Sequence, residues 1–302
     1  MSPLVSVVIP TYNHAHFLGR ALQSVIDQDY QNWEALVIDN HSLDDTDNII
    51  KSFNDPRIRP LKIHNHGVIA ASRNMGIREA SGEWIAFLDS DDYWYSGKLQ
   101  LIMSAIKLDS SIDVVSNDEL MIDIKTGTKR VLRHGPYQED FYRTLLIEGN
   151  RLSPSATLVR HSFLDQHQLF FDESEDYITV EDYDFWLNLA RKGARFKFIH
   201  HVQGEFVIHG SNSSTQLSTH LKNSESMLYH HVFDIQEFNS SVERLWALVS
   251  TRLRLEKVKL FFKNGKFALA LKLMLEALIY SPTGVCVFLY LRFKKILRKI
   301  SL

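Results

Sequence analysis

The first hundred residues alternate between short β-branched runs and amphipathic segments, and this alternation is the strongest constraint on the fold. Strand patterns cover residues 5–9, 36–38, 58–63 and 84–88, and apolar residues with helical spacing fill the intervals. Repeated strand–helix units of this length predict a mostly parallel sheet with helices on both faces. The predicted fold class is therefore α/β with a Rossmann-like arrangement.

Polar clusters follow three of these predicted strands. They are Thr11–Asn13, Asp39–Asn40 and Asp89–Asp92. In an open parallel sheet, ligands bind beyond the carboxyl ends of the strands. We therefore expect the three clusters to point into one crevice.

The cluster after the fourth strand carries the clearest chemistry. Asp89 and Asp91 are two residues apart, so in an extended strand end both carboxylates face the same way. Paired carboxylates at a crevice suit Mg²⁺ or Mn²⁺, particularly when a phosphate supplies further ligands. Asp92 is expected to point elsewhere and to cap the following helix. A solvated acidic turn is the alternative interpretation of this motif.

The remaining sequence changes character twice. From about Val114 strands and helices are mixed, with a hairpin around Thr126-Gly127 and an amphipathic helix over residues 181–191. After about Ser218 the pattern is helical, with breaks at residues 240–241, 264–265 and 281–282. We predict a catalytic domain over residues 1–215, divided at 110/111, and a helical extension over residues 216–302.

Composition excludes several classes of protein. A chain of 302 residues with 45% hydrophobic residues is typical of globular proteins, and a net charge of −2 argues against a dedicated nucleic-acid binder. The single cysteine, Cys286, excludes an internal disulfide and fits a reducing compartment. The first ten residues lack the pattern of a signal peptide, so a cytoplasmic location is expected.

Charge is unevenly distributed along the chain. Residues 250–302 contain 12 Lys or Arg and two Glu, net +10, which leaves −12 for the rest. The most apolar stretch, residues 267–291, is interrupted by Lys272, Glu276 and Pro282, so it is not expected to span a membrane. Basic and apolar residues alternate over residues 291–300, which predicts an amphipathic helix. Such a helix either lies on the inner face of an anionic membrane or packs on the protein.

Seven short motifs follow one another in order over residues 4–95, at residues 5–13, 24–28, 33–34, 37–46, 71–76, 82–83 and 87–92. As an ordered set they resemble the pattern of glycosyltransferase family 2, which has the GT-A fold; a weaker similarity extends to about residue 215. The resemblance implies sugar transfer from a nucleoside diphosphate to a glycan or lipid-linked hydroxyl, usually with inversion. It also implies a role in cell-surface polysaccharide synthesis.

The resemblance also assigns residues to the donor site. Asp89 and Asp91 would hold Mn²⁺ or Mg²⁺ on the diphosphate, with Asp91 the more direct ligand, and Arg73 would lie near the base or phosphates. The resemblance favours a UDP-sugar. Asn40, however, stands where the family often has an Asp that reads uracil, and Asn offers both a donor and an acceptor, so thymidine and guanosine donors stay open. Asp39 contacts the base or braces its loop. The implied donor-binding residues are Pro10, Thr11, Tyr12, Asn13, Asp39, Asn40, Arg73, Asp89, Ser90 and Asp91.

On the acceptor side, Glu181-Asp182 resembles the family's acidic pair at the start of a helix. Asp182 is assigned as the general base, and Glu181 binds acceptor hydroxyls or favours the helix N-terminus. Trp186 is a candidate platform for a sugar, with core packing as its alternative. His209, after the last predicted strand, completes the metal site in some relatives, although this chain lacks the accompanying Arg.

Two other functions stay open from sequence. A nucleotidyltransferase would also use acidic residues at strand ends, but no glycine-rich phosphate loop with a following Lys lies near Pro10. A non-catalytic, membrane-associated glycan-binding subunit could retain the same fold. The intact set Asp89, Asp91 and Asp182 argues against that second alternative.

Overall fold

A computed structural model describes residues 2–210, 217–239 and 241–300, with side chains in the last helix described as far as Phe293. The chain divides into two compact units. Residues 1–139 and 151–216 form the first, and residues 140–150 and 217–302 form the second. The predicted domain boundary at 215/216 lies outside the described residues and stays a prediction.

The first unit begins with the predicted βα units. Strands β1 to β4 lie in the order β3-β2-β1-β4, and every neighbouring pair among them is parallel. The elements are β1 (Val5–Thr11), α1 (Ala15–Ile26), β2 (Trp33–Asp39), α2 (Thr46–Ser52), β3 (Ile58–Lys62), α3 (Ile69–Glu79) and β4 (Trp84–Phe87).

The second half of this unit extends the same sheet with mixed pairing. Among the described residues the strand order is β3-β2-β1-β4-β8-β6-β9-β5, with β7 on β6, and β8 is antiparallel to both β4 and β6. The elements are β5 (Tyr93–Trp94), α4 (Lys98–Leu108), β6 (Val114–Asp123), β7 (Lys129–Leu132), β8 (Thr157–Arg160), α6 (His161–His167), α7 (Glu181–Arg191) and β9 (Phe196–Ile208); α5 (Phe141–Glu148) lies in the second unit.

The last strand is longer than its sequence pattern suggests. Sequence indicates only residues 206–208, whereas β9 starts at Phe196 and pairs with β6 along most of its length. Register shifts in that pairing, between Asn117 and Leu120, interrupt the two-residue alternation. Polar residues at its exposed positions, such as Lys197 and His200, hide the rest of the pattern.

Close packing of α3 on the sheet positions the site. A Cβ on Gly76 would lie 2.3 Å from a methyl carbon of Val8, so only glycine allows the helix to approach β1 this closely. On this helix, Asn74 donates to the carbonyl of Phe171 and accepts from its N–H. The helix therefore fixes both Arg73 and the segment that precedes α7.

The second unit is helical. It contains α5, α8 (Leu217–His230), a π-helical turn (His231–Ile235), α9 (Val242–Lys263), α10 (Phe267–Tyr280) and α11 (Pro282–Ile300). The predicted breaks at 264–265 and 281–282 are observed, and Ser241 caps α9 by accepting from the N–H of Arg244. Among the described residues no single helix is long and apolar enough to span a membrane; α10 and α11 meet that criterion only as a pair, bent by 112°.

Candidate active site

The ends of β1 and β2 supply the first side of a crevice. Thr11 pairs in register with Asp39, and the buried Oγ1 of Thr11 has no hydrogen-bond partner among the described residues. Tyr12, the next residue, is 52% exposed. A buried unsatisfied hydroxyl beside an exposed aromatic ring is a suitable surface for a polar, planar ligand.

Asn13 holds two loops together. Its backbone N–H donates to Ser42 Oγ at 2.8 Å, and its Oδ1 accepts from the N–H of Leu43 at 2.8 Å. Its φ of 51° is in the left-handed region, which Asn tolerates better than most residues. These contacts tie the loop after β1 to the loop after β2.

Asp39 and Asn40 are also used by the protein itself. Asp39 is buried and accepts from Ser42 through one oxygen and from Lys62 Nζ, at 2.5 Å, through the other. Asn40 Oδ1 accepts from the N–H of Asn65 at 3.0 Å. Of the two roles left open for Asp39, this geometry favours bracing the loop.

The Asp89–Asp91 motif is a turn, which corrects the expected geometry. The N–H of Asp92 donates to the carbonyl of Asp89 at 3.0 Å, so the segment is not an extended strand end. The two carboxylates have different partners: Asp89 accepts from Arg73 Nη2 at 2.9 Å, and Asp91 lies 2.8 Å from His209 Nε2. Ser90, between them, contacts His14 Nδ1 at 3.0 Å.

Asp92 points away from the crevice, as expected, but it caps no helix. Helix α4 begins after Gly97, whereas the buried Asp92 accepts from Ser155 Oγ and from the N–H of Val207. Burial, together with the charges of Asp91 and Glu119, raises the pKa of Asp92 well above its usual range. Asp92 therefore anchors the turn to β9.

Ser155 supports the same turn and was not predicted from sequence. Its Oγ accepts from the N–H of Asp89 at 3.1 Å while donating to Asp92, and its carbonyl accepts from Trp94 Nε1 and Lys98 Nζ. Burial lowers the pKa of Lys98 to about 7, against the opposing charges of Glu119 and Asp92. A lone serine before a strand carries no sequence signal for this role.

His209 lies where a metal ligand is expected. It is buried, it contacts Asp91, and its ring packs against Phe17 with centroids 4.7 Å apart. Burial raises the pKa of Asp91, the charge of Asp89 raises it further, and the contact with His209 opposes both. His14, also missed from sequence although it follows Asn13 directly, has its ring 5.7 Å from that of His209.

The donor set suits a divalent cation that is completed by its substrate. One carboxylate and one imidazole are adjacent, and Asp89 is close enough to act on Asp91 electrostatically. Within the described residues, no group of three His, Cys, Asp or Glu side chains forms a ready-made cage. Mg²⁺ is commonly held by one or two carboxylates together with phosphates and water, so these residues fit such an ion.

Arg73 connects the two sides of the crevice. It is 3% exposed, and it donates to Asp89 through Nη2 and to Glu181 Oε1 through Nη1, both at 2.9 Å. Burial lowers the pKa of Arg73, but the charges of Asp89 and Glu181 raise it by more, so the net shift is upward. Arg73 is therefore a fixed cation between the predicted donor and acceptor carboxylates.

Glu181 and Asp182 begin α7 and differ in environment. Glu181 is held by Arg73 through one oxygen, and its buried Oε2 has no partner among the described residues. Asp182 is partly exposed. Partial burial and the charge of Glu181 raise the pKa of Asp182 to about 7, against the opposing charge of Arg73. A carboxylate with a pKa near neutrality is suited to accept a proton.

Trp186 does not provide a sugar platform. It is fully buried, and its ring packs against Phe87, Phe171 and Phe185. The predicted acceptor role is therefore wrong, and the core-packing alternative describes the residue. The reason is that residues 183–187 of α7 are all buried, so this turn of the helix is enclosed by the core, unlike Asp182 at the helix start.

Comparison with known proteins identifies the family. The model of glycosyl transferase family 2 matches residues 6–167, more than half of the chain. The chain belongs to this family. A glycosyltransferase activity and the GT-A fold, both expected from the motifs, are thereby confirmed.

Particular relatives show what this family 2 glycosyltransferase is similar to. It is 30% identical over 188 residues, 62% of this chain and 70% of the other, to WfgD of Escherichia coli, a UDP-Glc:alpha-D-GlcNAc-diphosphoundecaprenol beta-1,3-glucosyltransferase. Similar solved structures include TarS of Staphylococcus aureus in complex with UDP, with a TM-score of 0.60, 20% identity, and coverage of 81% and 69% of the respective chains.

A second solved structure covers nearly all of the chain. The mannosyltransferase PcManGT of Pyrobaculum calidifontis, in complex with GDP-Man and Mn²⁺, matches 98% of this chain and 81% of its own, with a TM-score of 0.59 and 17% identity. At this identity the likeness concerns the fold. It agrees with a mixed sheet flanked by helices in the first unit.

Proposed function

We propose that this glycosyltransferase moves a sugar from a UDP-sugar to a hydroxyl of a glycan or lipid-linked acceptor, with inversion, in the synthesis of a cell-surface polysaccharide. The observation that carries the proposal is the position of Arg73. This buried cation bonds Asp89 on the donor side and Glu181, the neighbour of the predicted base, on the acceptor side. The reacting groups would then meet beside a single fixed charge.

The donor nucleotide would lie against the ends of β1 and β2. The exposed ring of Tyr12 is available to stack on a base, and the unsatisfied Thr11 hydroxyl is available to a polar donor atom. Uridine is preferred because the names of WfgD and of the TarS complex both specify it. The GDP-Man in the PcManGT complex keeps guanosine as the alternative.

A divalent metal, Mn²⁺ or Mg²⁺, would be held by Asp91 and His209, with Asp89 nearby. When bound, such an ion neutralises the charge that builds on the departing diphosphate. The protein's own contribution is to hold the carboxylates of Asp89 and Asp91 in place. Ser155 and Asp92 fix the turn that presents Asp91, and Arg73 fixes Asp89.

Asp182 would remove the proton from the acceptor hydroxyl as that oxygen attacks the anomeric carbon. Its pKa of about 7 leaves a large fraction ionised at neutral pH while retaining enough basicity to accept the proton. Glu181 Oε2, buried and unsatisfied, is available to a second acceptor hydroxyl. Direct attack on the anomeric carbon, without a covalent intermediate, gives inversion.

The acceptor and the location are proposed together. WfgD acts, by its name, on a diphosphoundecaprenol-linked sugar. A lipid-linked acceptor would place the enzyme on the inner face of the cell membrane as a peripheral protein. The basic residues of the last helix, described from sequence, fit that location.

A transfer assay tests the chemistry. The enzyme is incubated with Mn²⁺, a panel of UDP-hexoses and short glycan or lipid-linked acceptors, and the anomeric configuration of the product is read by NMR. We expect a β-linked product from an α-linked donor, lost in Asp182→Asn. An α-linked product would overturn the inverting mechanism, and full activity in Asp182→Asn would overturn the assignment of the base.

A further inference from the structure

Helix α10 exposes apolar side chains where a helix of a water-soluble protein normally exposes polar ones. Five large apolar residues, here called the α10 stripe, recur at positions i, i+4, i+8, i+11 and i+12 and so share one face. All five are exposed, with Leu271 at 63% and Ile279 at 84%. The α10 stripe consists of Phe267, Leu271, Leu275, Leu278 and Ile279.

Another face of α10 is already packed. Ala277 is buried in a small core with Leu255 of α9 and Val285 of α11, and Met274 packs against the same residues. The helix is therefore held through Met274 and Ala277, while the α10 stripe faces outward. An exposed apolar patch of this kind marks an interaction surface.

The charges around the α10 stripe select the partner. Lys263 and Lys266, at the turn from α9 to α10, are exposed, and on α10 itself the only charged residues, Lys272 and Glu276, are 3.9 Å apart. Residues 250–302 carry a net charge of +10. A second copy of this chain would bring the same positive charge to the interface, whereas an anionic bilayer offers both apolar chains and negative headgroups.

A groove among the three helices adds a second apolar feature. It has a volume of about 510 Å³ and is lined by apolar side chains of α9, α10 and α11. Three cations, Lys259, Lys263 and Arg292, also line it. An apolar groove lined also by cations matches one chain of an anionic phospholipid whose headgroup remains near the water interface.

We propose that the helical unit docks on an anionic phospholipid bilayer by inserting the α10 stripe, with the adjoining cations on the headgroups. The inference deepens the peripheral location proposed above, on which it rests, by naming the surface. It moves the insertion from the basic end of α11, predicted from sequence, to α10. Bilayer binding requires no nucleotide, so it is measured separately from catalysis.

Vesicle co-sedimentation of the full chain tests the proposal. We expect binding to vesicles of phosphatidylglycerol and phosphatidylcholine, and weak binding to phosphatidylcholine alone. Leu271→Asp should weaken binding by about tenfold or more, because one buried leucine side chain contributes about that factor. Leu271→Met keeps the stripe apolar and should bind like the wild type. Leu108 on α4 is 89% exposed and lies outside the stripe, so it provides the matched control. The Leu108→Asp variant should bind vesicles like the wild type.

A second pair of substitutions tests the cations. Lys263→Gln with Lys266→Gln should lower the affinity for anionic vesicles by roughly fivefold for each charge removed. Retained UDP binding and an unchanged thermal transition establish that each variant is folded. Normal vesicle binding by folded Leu271→Asp would overturn the proposal. Failure of the wild type to bind vesicles would also overturn the proposal. If such a protein instead formed a dimer that Leu271→Asp dissociates, the α10 stripe would be a dimer interface and not a membrane surface.

Discussion

In most proteins charged side chains are exposed and large apolar ones are buried. The strand-end crevice and helix α10 depart from this distribution in opposite ways. Around the crevice, charged groups are buried: Arg73 and Asp92 are almost inaccessible, yet each has oriented hydrogen-bond partners. On α10, large apolar groups are exposed. Burying charge and exposing apolar surface both cost free energy. The first arrangement is typical of a site for a charged ligand, and the second of a surface for an apolar one.

The largest expected effect is on the predicted base. Asp182→Asn should lower kcat by about 10²- to 10⁴-fold, the range for loss of general base catalysis, with unchanged nucleotide affinity. Asp165→Asn, an exposed carboxylate on α6, is the matched control and should keep full activity. Steady-state kinetics and calorimetry separate the two quantities. A loss of nucleotide affinity equal to the loss of kcat would move Asp182 to the donor side.

Removing the bridging cation should cost stability as well as activity. Arg73→Met leaves the carboxylates of Asp89 and Glu181 without their partner, which should lower the free energy of unfolding by about 3–5 kcal/mol. Arg78→Met, on the same helix but exposed, should lower it by less than about 1 kcal/mol. Urea unfolding measures both variants. Equal losses in the two would contradict the account of Arg73 as a buried bridge.

Ser155 should have a smaller effect of the same kind. Ser155→Ala removes the hydroxyl shared by the N–H of Asp89 and the carboxylate of Asp92, which should cost about 1–3 kcal/mol in stability. It should also weaken metal-dependent nucleotide binding, because the turn that carries Asp91 loses its support. Ser104→Ala, an exposed serine on α4, should change neither quantity. Unchanged nucleotide binding in Ser155→Ala would confine Ser155 to a structural role.

The pH dependence of the wild type gives a further signature of the base, without any substitution. A base must be deprotonated to act, so activity should fall as pH drops below the pKa of Asp182, about 7, by about tenfold for each further unit. Activity falls on acidification because the pKa of Asp182 is raised. At pH 5 most molecules carry a protonated Asp182, whereas an aspartate with an ordinary pKa would remain ionised. A profile of kcat/KM from pH 5 to 9 tests this. A flat profile down to pH 5 would contradict a base with this pKa.

Sequence predicted the first half of the fold well because its signals are local. Strands β1 to β4 and helices α1 to α3 match their patterns, since buried β-branched runs and helical spacing are both short-range. The start of β9 was missed because its partner strand changes register near Asp118. Such a shift depends on a strand about eighty residues earlier, and no local pattern records it.

The sequence predicts which residues of the site lie together better than it predicts their arrangement. Asp91 and His209 were placed in one metal site, and the structure brings them to 2.8 Å. The extended arrangement of Asp89 and Asp91 was wrong, because a turn hydrogen bond depends on backbone angles that the D-x-D spacing does not determine. Ser155 and the bridging of Arg73 could not be found, because each joins segments more than 60 residues apart.

Calorimetric titration of nucleotides tests the central claim most directly. UDP, TDP, GDP and CDP are each titrated into the wild type with Mn²⁺ and with EDTA, and into Asp91→Asn. We expect UDP to bind with Mn²⁺, and expect that binding to be lost with EDTA and in Asp91→Asn. No binding of any nucleotide by the folded protein, or equal binding by Asp91→Asn, would contradict a donor site at the ends of β1, β2 and β4.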